Sequence, residues 1–186
     1  AFVHLDVGLP QARLRHMIAD AGIRWVIVDE STESRAAEHG LHTVNVLHRE
    51  GSVAAVDTDR HREPSTDAQS MAYAIFTSGS TGMPKAVSVG HAAIESHVAV
   101  AIERYGIGPT DRVLAFSSFS FDAVLDQVLP AIAAGASVVL GEHGQILPDD
   151  LSRLIARNGV TVVNLPPSYW LEWVNTMGPE SPKDLS

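Results

Sequence analysis

Between Arg112 and Leu165 short apolar runs alternate with stretches of helical character. "RVLAF" (112–116), "SVVLG" (137–141) and "VTVVNL" (160–165) have the length and β-branched content of strands. "FDAVLDQVLPAIAAGA" (121–136) and a helix expected over 149–157 separate them. Strands that alternate with helical crossovers run parallel, and a parallel sheet takes helices on its faces. The expected fold class is therefore α/β, with mostly parallel sheets and flanking helices. Pro130 lies inside the first of these helical stretches, where it predicts a kink or a break, and Gly135 suits its end.

The first half of the chain follows the same grammar. Pro10 suits the first turn of a helix, Leu14, Met17, Ile18 and Ala21 recur at helical spacing, and Gly22 ends the run. "RWVIV" (24–28) and "HTVNVL" (42–47) read as strands. Arg49 to Gln69 is polar and weakly patterned, a long loop with a short strand near Val53–Val56. "MAYAIF" (71–76) and "AVSVGH" (86–91) read as a strand and its return, followed by a helix over 92–104. There is no internal repeat or low-complexity tract.

A chain of 186 residues is one domain or a large part of one. Its net charge of −9 speaks against general nucleic-acid binding, which needs an excess of Lys and Arg. A local phosphate site stays open, since one lysine and a few backbone N–H groups suffice for it. The absence of cysteine removes disulfides, thiolate nucleophiles and cysteine-ligated zinc. A cytoplasmic setting fits. No run of 18 apolar residues suggests a membrane span, and "AFVHLDVGLP" has neither the basic nor the apolar region of a signal peptide. That segment lacks an initiating Met and reads like the inside of a strand, so the chain is expected to come from something longer. The nine histidines form no H-x-x-x-H or H-E-x-x-H pair, and no metal site is expected from this chain.

One stretch concentrates chemistry. "AIFTSGSTGMPKAV" (74–87) follows a strand with small residues, four hydroxyls, two glycines and a lysine. Small residues let a backbone approach a bulky anion, and hydroxyls, N–H groups and Lys85 can all donate to phosphate oxygens. A Gly/Ser turn in a β-hairpin with a solvated lysine has the same composition. The spacing excludes a Walker loop: Gly79 and Gly82 are three apart, and Lys85 is three beyond Gly82 and followed by Ala86. It also fails the G-x-G-x-x-G pattern of dinucleotide-binding folds.

The full string "YAIFTSGSTGMPKAV" (73–87) resembles, without a gap, the phosphate loop of adenylate-forming enzymes, Y-x-x-(Y/F)-T-S-G-(S/T)-T-G-x-P-K-G-V. That superfamily includes acyl-CoA synthetases, luciferases and the adenylation domains of nonribosomal peptide synthetases. The resemblance implies that Thr77, Ser78, Gly79, Ser80, Thr81, Gly82 and Lys85 bind the phosphates of ATP. Ala86 departs from the family glycine. A methyl group there costs about 1 kcal/mol if the position needs positive φ.

Two further segments resemble the peptide-synthetase branch. "AFVHLDVGLPQARLRHMIADAGIRWVIVD" (1–29) matches its A-Y-V-P-L-D-P-x-x-P-x-x-R-L motif at Leu5, Asp6, Pro10, Arg13 and Leu14, with His4 and Val7 in place of two prolines. "FSSFSFDAVLDQVLPAIAAGASVVL" (116–140) resembles the motif whose Phe-Asp meets the substrate. From the residues alone Asp122 serves equally as a helix N-cap or as a partner for an ammonium group. The resemblance implies the second role for Asp122, with Phe121 beside the acyl group and the loop. It places Ala123, Asp126 and Ser168 along the side-chain pocket, with Val124 where serine is common. An acidic Asp126 points to a polar or cationic substrate side chain, although a solvated helix face would look the same. Tyr169, Trp170 and Trp173 fit core packing.

By this resemblance the chain is a fragment, residues 1–186 of an adenylation domain's N-terminal core, with a phosphate loop at 76–87 and an amino-acid-binding motif at 121–136. The ribose-binding and magnesium-binding motifs and the C-terminal lid with its lysine are absent from it. The implied parent activity is ATP- and Mg2+-dependent formation of an aminoacyl-adenylate, passed to a carrier protein with a phosphopantetheine arm. The fragment itself is expected to be inactive. The remainder of the domain or another copy of the chain is a further implied partner; nucleic acid and membrane are not. A fatty- or aryl-acid ligase fragment, or a non-catalytic module that kept the fold, are the alternatives.

Overall fold

The computed structural model describes residues 1–45, 67–77, 84–141 and 146–176. They fall into two compact units, Ala1–Ala93 and Ile94–Ser186. The strand expected near Val53–Val56 lies outside the described residues.

The first unit holds β1 (Phe2–Val3), α1 (Gln11–Asp20), β2 (Trp25–Val28), α2 (Glu33–Glu38), β3 (His42–Asn45), β4 (Met71–Thr77) and β5 (Lys85–Gly90). Pro10 stands just before α1 in an extended conformation, and its carbonyl accepts the first helical bond, from Leu14 N–H at 3.1 Å. Leu14 and Met17 bury the inner stripe. Gly22, at φ +61°, reverses the chain, and Ile23 N–H returns to Ile18 O at 3.0 Å, which satisfies an orphan carbonyl of the last turn. β2 and β3 pair in parallel from Trp25↔His42 to Val28↔Asn45. β1 pairs in parallel with β4, and β4 pairs antiparallel with β5.

The second unit contains β6 (Arg112–Ala115), α4 (Ala123–Ala133), β7 (Ser137–Leu140), α5 (Pro148–Asn158) and α6 (Pro167–Thr176); they follow α3 (His91–Tyr105). β6 and β7 are parallel, and Val162 bridges to Val113 on the other side of β6, also in parallel. The run expected as a strand over 160–165 is thus reduced to one bridge. It is still held there by Thr161 N–H to Arg112 O and Leu114 N–H to Val162 O, each 3.0 Å.

Successive strand residues face opposite sides, and both sides are covered. Val113 packs with Ile107 and Ala131, on the α4 side. Leu114 packs with Val139, Leu151, Val160, Tyr169 and Trp173, on the side of α5 and α6. Trp170, expected in the core, is instead 49% exposed, because the buried stripe of α6 runs through Tyr169 and Trp173. Pro130 does not end α4: the helix runs on to Ala133, and Ala134 N–H reaches Pro130 O at 2.9 Å. Proline withholds only the N–H that Asp126 O would have accepted, and the fully buried ring fills core space in return.

Candidate functional site

The predicted phosphate loop has described flanks. Ser78, Gly79, Ser80, Thr81 and Gly82 lie outside the described residues. Thr77 ends β4, Lys85 opens β5, and the two are register partners. Directly opposed residues of an antiparallel pair present their side chains to the same face, so a hydroxyl and an ammonium stand together at the mouth of the connection. Both residues are exposed.

The adjoining Pro84 is buried, and its carbonyl lies 3.0 Å from His16 Nε2. A carbonyl only accepts, so Nε2 carries the proton. His16 on α1 thereby fixes one end of the loop, a role with no signal in the local sequence. Ala86 lies in register opposite Phe76, and no described non-glycine residue has positive φ. The methyl that departs from the family pattern therefore meets no backbone penalty there.

The second cluster belongs to the unit that starts at Ile94. β6 and the Val162 segment are parallel neighbours, so their C-terminal ends share one edge of the sheet. From that edge β6 leads through Phe121, Asp122 and Ala123 into α4, on one face. The Val162 segment leads through Pro166 into α6, on the opposite face. A crevice opens where neighbouring parallel strands send their connections to opposite faces, and this is where open α/β sheets bind ligands. Phe121, Asp122 and Ala123 are exposed at the start of α4, and Ser168 is exposed on the first turn of α6.

Asp122 occupies the N-cap position of α4, but it has helical angles, φ −61° and ψ −29°, and its side chain makes no capping bond. An N-cap residue ordinarily adopts extended angles and turns its oxygen back on the helix. Val124 is fully buried, so the open side of α4 carries Asp122, Ala123 and Asp126. Asp126 is not simply solvated: its Oδ1 lies 2.6 Å from His97 Nε2 on α3.

Gln127, like His16, is not singled out by the motifs. It is 2% exposed and is the buried polar side chain among the described residues. Its Oε1 accepts from Phe116 N–H at 2.9 Å and Ser117 N–H at 3.1 Å. Its Nε2 donates to Asn164 O at 2.8 Å and Ser117 Oγ at 3.3 Å. One amide thus ties α4 to the connection after β6 and to the connection that leads into α6. A glutamine on the same stripe as Val124 and Ala131 was the available signal.

α6 is secured by its aromatic residues. Tyr169 packs on Phe116 with ring centroids 4.5 Å apart and donates from its hydroxyl to Ile146 O at 2.8 Å. Burial, with the nearby charges of Glu172 and Asp150, pushes its phenol up, so it stays a donor. Trp173 Nε1 donates to Ser152 Oγ at 3.0 Å.

Among the described residues no group of three or more His, Asp or Glu side chains could hold a metal ion. Among them, too, no helix is long and apolar enough to cross a membrane.

The peptide synthetases supply close sequence relatives. Bacitracin synthase 3 of Bacillus licheniformis is 30% identical over 185 residues, which cover 98% of this chain and 3% of that protein. Phosphinothricin tripeptide synthetase of Streptomyces viridochromogenes is 38% identical over 168 residues, covering 88% of this chain and 15% of that protein. The chain therefore spans a small part of these relatives. Among solved structures, VinN in complex with L-aspartate matches with a TM-score of 0.74 and 26% identity, over 96% of this chain and 46% of that one. The nonribosomal peptide synthetase FmoA3 with bound alpha-methyl-L-serine-AMP matches with a TM-score of 0.78 over 100% of this chain and 20% of that one; at 24% identity it shows the fold. The profile of the AMP-binding enzymes matches residues 1–186, and with it the chain belongs to the AMP-binding enzyme family.

Proposed function

We propose that these residues are part of the N-terminal core of an amino-acid-activating adenylation domain, and that the parent protein is a nonribosomal peptide synthetase. In the reaction, a carboxylate oxygen of the amino acid attacks the α-phosphorus of ATP. The bond from that phosphorus to the bridging oxygen breaks, and aminoacyl-adenylate and pyrophosphate form. The thiol of a carrier protein's phosphopantetheine arm then attacks the acyl carbon, the acyl–phosphate C–O bond breaks, and the aminoacyl thioester and AMP form. A cytoplasmic setting follows from the supply of ATP.

The residues of this chain bind and orient. Asp122 pairs with the substrate ammonium, beside Phe121, while Ala123, Asp126 and Ser168 border its side chain. Thr77 and Lys85, with Ser78, Gly79, Ser80, Thr81 and Gly82 between them, hold the triphosphate. Such positioning and charge stabilisation are the protein's main contributions to a displacement at phosphorus. Magnesium keeps most of its ligands as phosphate oxygens and water, so it asks little of the residues described. The lid and the remaining motifs come from elsewhere in the parent, and the 186 residues alone do not turn over.

The observation that carries this proposal is the side chain of Asp122: it stands at a helix start without capping it, exposed at the C-terminal edge of a parallel sheet. The test is ATP–pyrophosphate exchange on the longest natural polypeptide that contains the chain, with amino acids and simple carboxylic acids. Exchange should depend on an amino acid, and Asp122→Ala should lower kcat/KM for it by about a hundredfold, the scale of a lost charge-assisted pair. Exchange confined to acids without an amino group, unchanged in Asp122→Ala, would sink the proposal. Exchange by the isolated 186 residues would refute their inactivity.

A further inference from the structure

Asp122 and Asp126 are four residues apart, one turn of helix, and so lie on the same side of α4. That side is the open one, since Val124 and Gln127 take the buried side. Among the described residues only one of the two carboxylates has a partner in another helix: His97 Nε2 lies 2.6 Å from Asp126 Oδ1, and both side chains are about half exposed. A carboxylate only accepts, so the imidazole donates. Asp122 and Asp126 thus differ in what they can offer a ligand, although the sequence makes them look equivalent.

Resting on the amino-acid activation proposed above, we infer that His97 is a specificity-determining residue, which turns Asp126 from a site for a cation into a site for a neutral hydrogen-bond donor. The bond occupies Oδ1 and leaves Oδ2 outside it. A carboxylate already engaged by an N–H donor offers less negative potential to a second positive group, and an ammonium or guanidinium must also find room beside the imidazole. A hydroxyl or amide N–H needs only the one remaining oxygen. Discrimination of this kind works by disfavouring the wrong ligand as much as by binding the right one. It narrows the expectation that an acidic Asp126 marks a polar or cationic side chain to the polar, uncharged case.

The test is ATP–pyrophosphate exchange by the longest natural polypeptide containing the chain, with neutral polar, basic and apolar amino acids and simple carboxylic acids. Wild type, His97→Leu, His97→Gln and Asp126→Asn are compared, with a thermal midpoint for each. Wild type should favour an amino acid with a neutral hydrogen-bonding side chain. His97→Leu should raise KM for it about tenfold with kcat nearly kept, and should raise relative kcat/KM for basic amino acids about tenfold. His97→Gln, whose amide can still donate to Asp126, should recover part of the wild-type preference even if His97→Leu folds poorly. Asp126→Asn should lose the neutral preference without gaining the basic one.

The inference is overturned if wild type favours a basic amino acid. It is overturned equally if His97→Leu and His97→Gln leave the substrate ratios within about twofold, the mark of a surface ion pair of little energetic weight. Wild-type exchange confined to acids without an amino group would instead remove the amino-acid activation on which the inference rests.

Discussion

Two parallel strand pairs of the same length behave in opposite ways. β6–β7 runs in register from Arg112↔Ser137 to Ala115↔Leu140, and β2–β3 from Trp25↔His42 to Val28↔Asn45. In the first, Val113, Leu114 and Val139 are buried, with α4 on one side and α5 and α6 on the other. In the second, α2 brings Ala36 into contact on one side, while Trp25 is 66% exposed and Ile27 72% on the other. Hydrogen-bond pattern and register are alike, so the difference lies in what covers the strands. Sheet bonding alone fixes no rigid platform; cover on both faces does. Phe121, Asp122 and Ala123, and Ser168 on the first turn of α6, are reached from the C-terminal edge of the covered pair.

The largest expected effect breaks this contrast at its centre. Leu114 and Leu151 are fully buried in the same apolar cluster. Leu114→Ala should cost about 3–4 kcal/mol through lost transfer energy and the cavity left behind. Ile27→Ala, at a strand position of the open pair, should cost less than about 1 kcal/mol. Urea unfolding of the two variants measures the difference, and amide exchange localises it, with Val113–Ala115 protected well beyond Val26–Val28. A cost for Ile27→Ala near that of Leu114→Ala would show that its face is covered in solution and would end the comparison.

A smaller effect separates apolar cover from polar tethering. Gln127 satisfies two backbone N–H groups and one carbonyl in the covered unit. Gln127→Met keeps the volume but removes those bonds, leaving buried polar groups unpaired at a cost of about 2 kcal/mol. Because the amide holds the connections that lead to α4 and α6, KM for the acid whose activation is proposed above should rise as well. A stable variant with unaltered KM would reduce Gln127 to a core residue with no part in positioning.

The covered unit was also the more legible one in the sequence. Its strands are unbroken apolar runs, its helices are long enough to show a period, and Gly135, at φ +75°, ends α4's turn where expected. α2 escaped because six residues carry too little periodicity to separate helix from loop. Of the kink or break expected at Pro130, the break does not occur, because burial of its ring offsets one missing donor, a tertiary effect that no local rule contains. The motifs nominate Asp122 and Lys85 as candidates directly, since composition and spacing survive in one dimension. His97, His16 and Gln127 act through residues 29, 68 and up to 37 positions away. Partners at that separation are chosen by folding and leave no local pattern.

The smallest expected effect tests whether polar clamps contribute to the contrast between the two pairs. Each pair has one carboxylate clamp at its border. Asp111, just before β6, accepts from Gly108 N–H at 2.8 Å and from Thr161 Oγ1 at 2.7 Å. Asp29, just after β2, accepts from Ser31 Oγ at 2.7 Å, Thr32 Oγ1 at 2.7 Å and Thr32 N–H at 2.9 Å. These bonds favour the ionised form and hold both carboxyls below the usual range: Asp111 chiefly through Gly108, Asp29 chiefly through the Ser31 hydroxyl. The unfolded chain therefore takes up protons first as pH falls, and folding stability declines with it. The contribution is complete above the ordinary carboxylate pKa and disappears as pH drops through the lowered folded values. Asp111→Asn and Asp29→Asn should each flatten the acid limb of a stability-versus-pH curve, by similar amounts, through a loss of stability near neutrality with little change at the acid end. Equal flattening would leave apolar cover as the source of the difference between the pairs. A much larger loss for Asp111→Asn would assign part of the rigidity beneath the crevice to the bond that joins Asp111 to Thr161, across the strand segment that carries Val162.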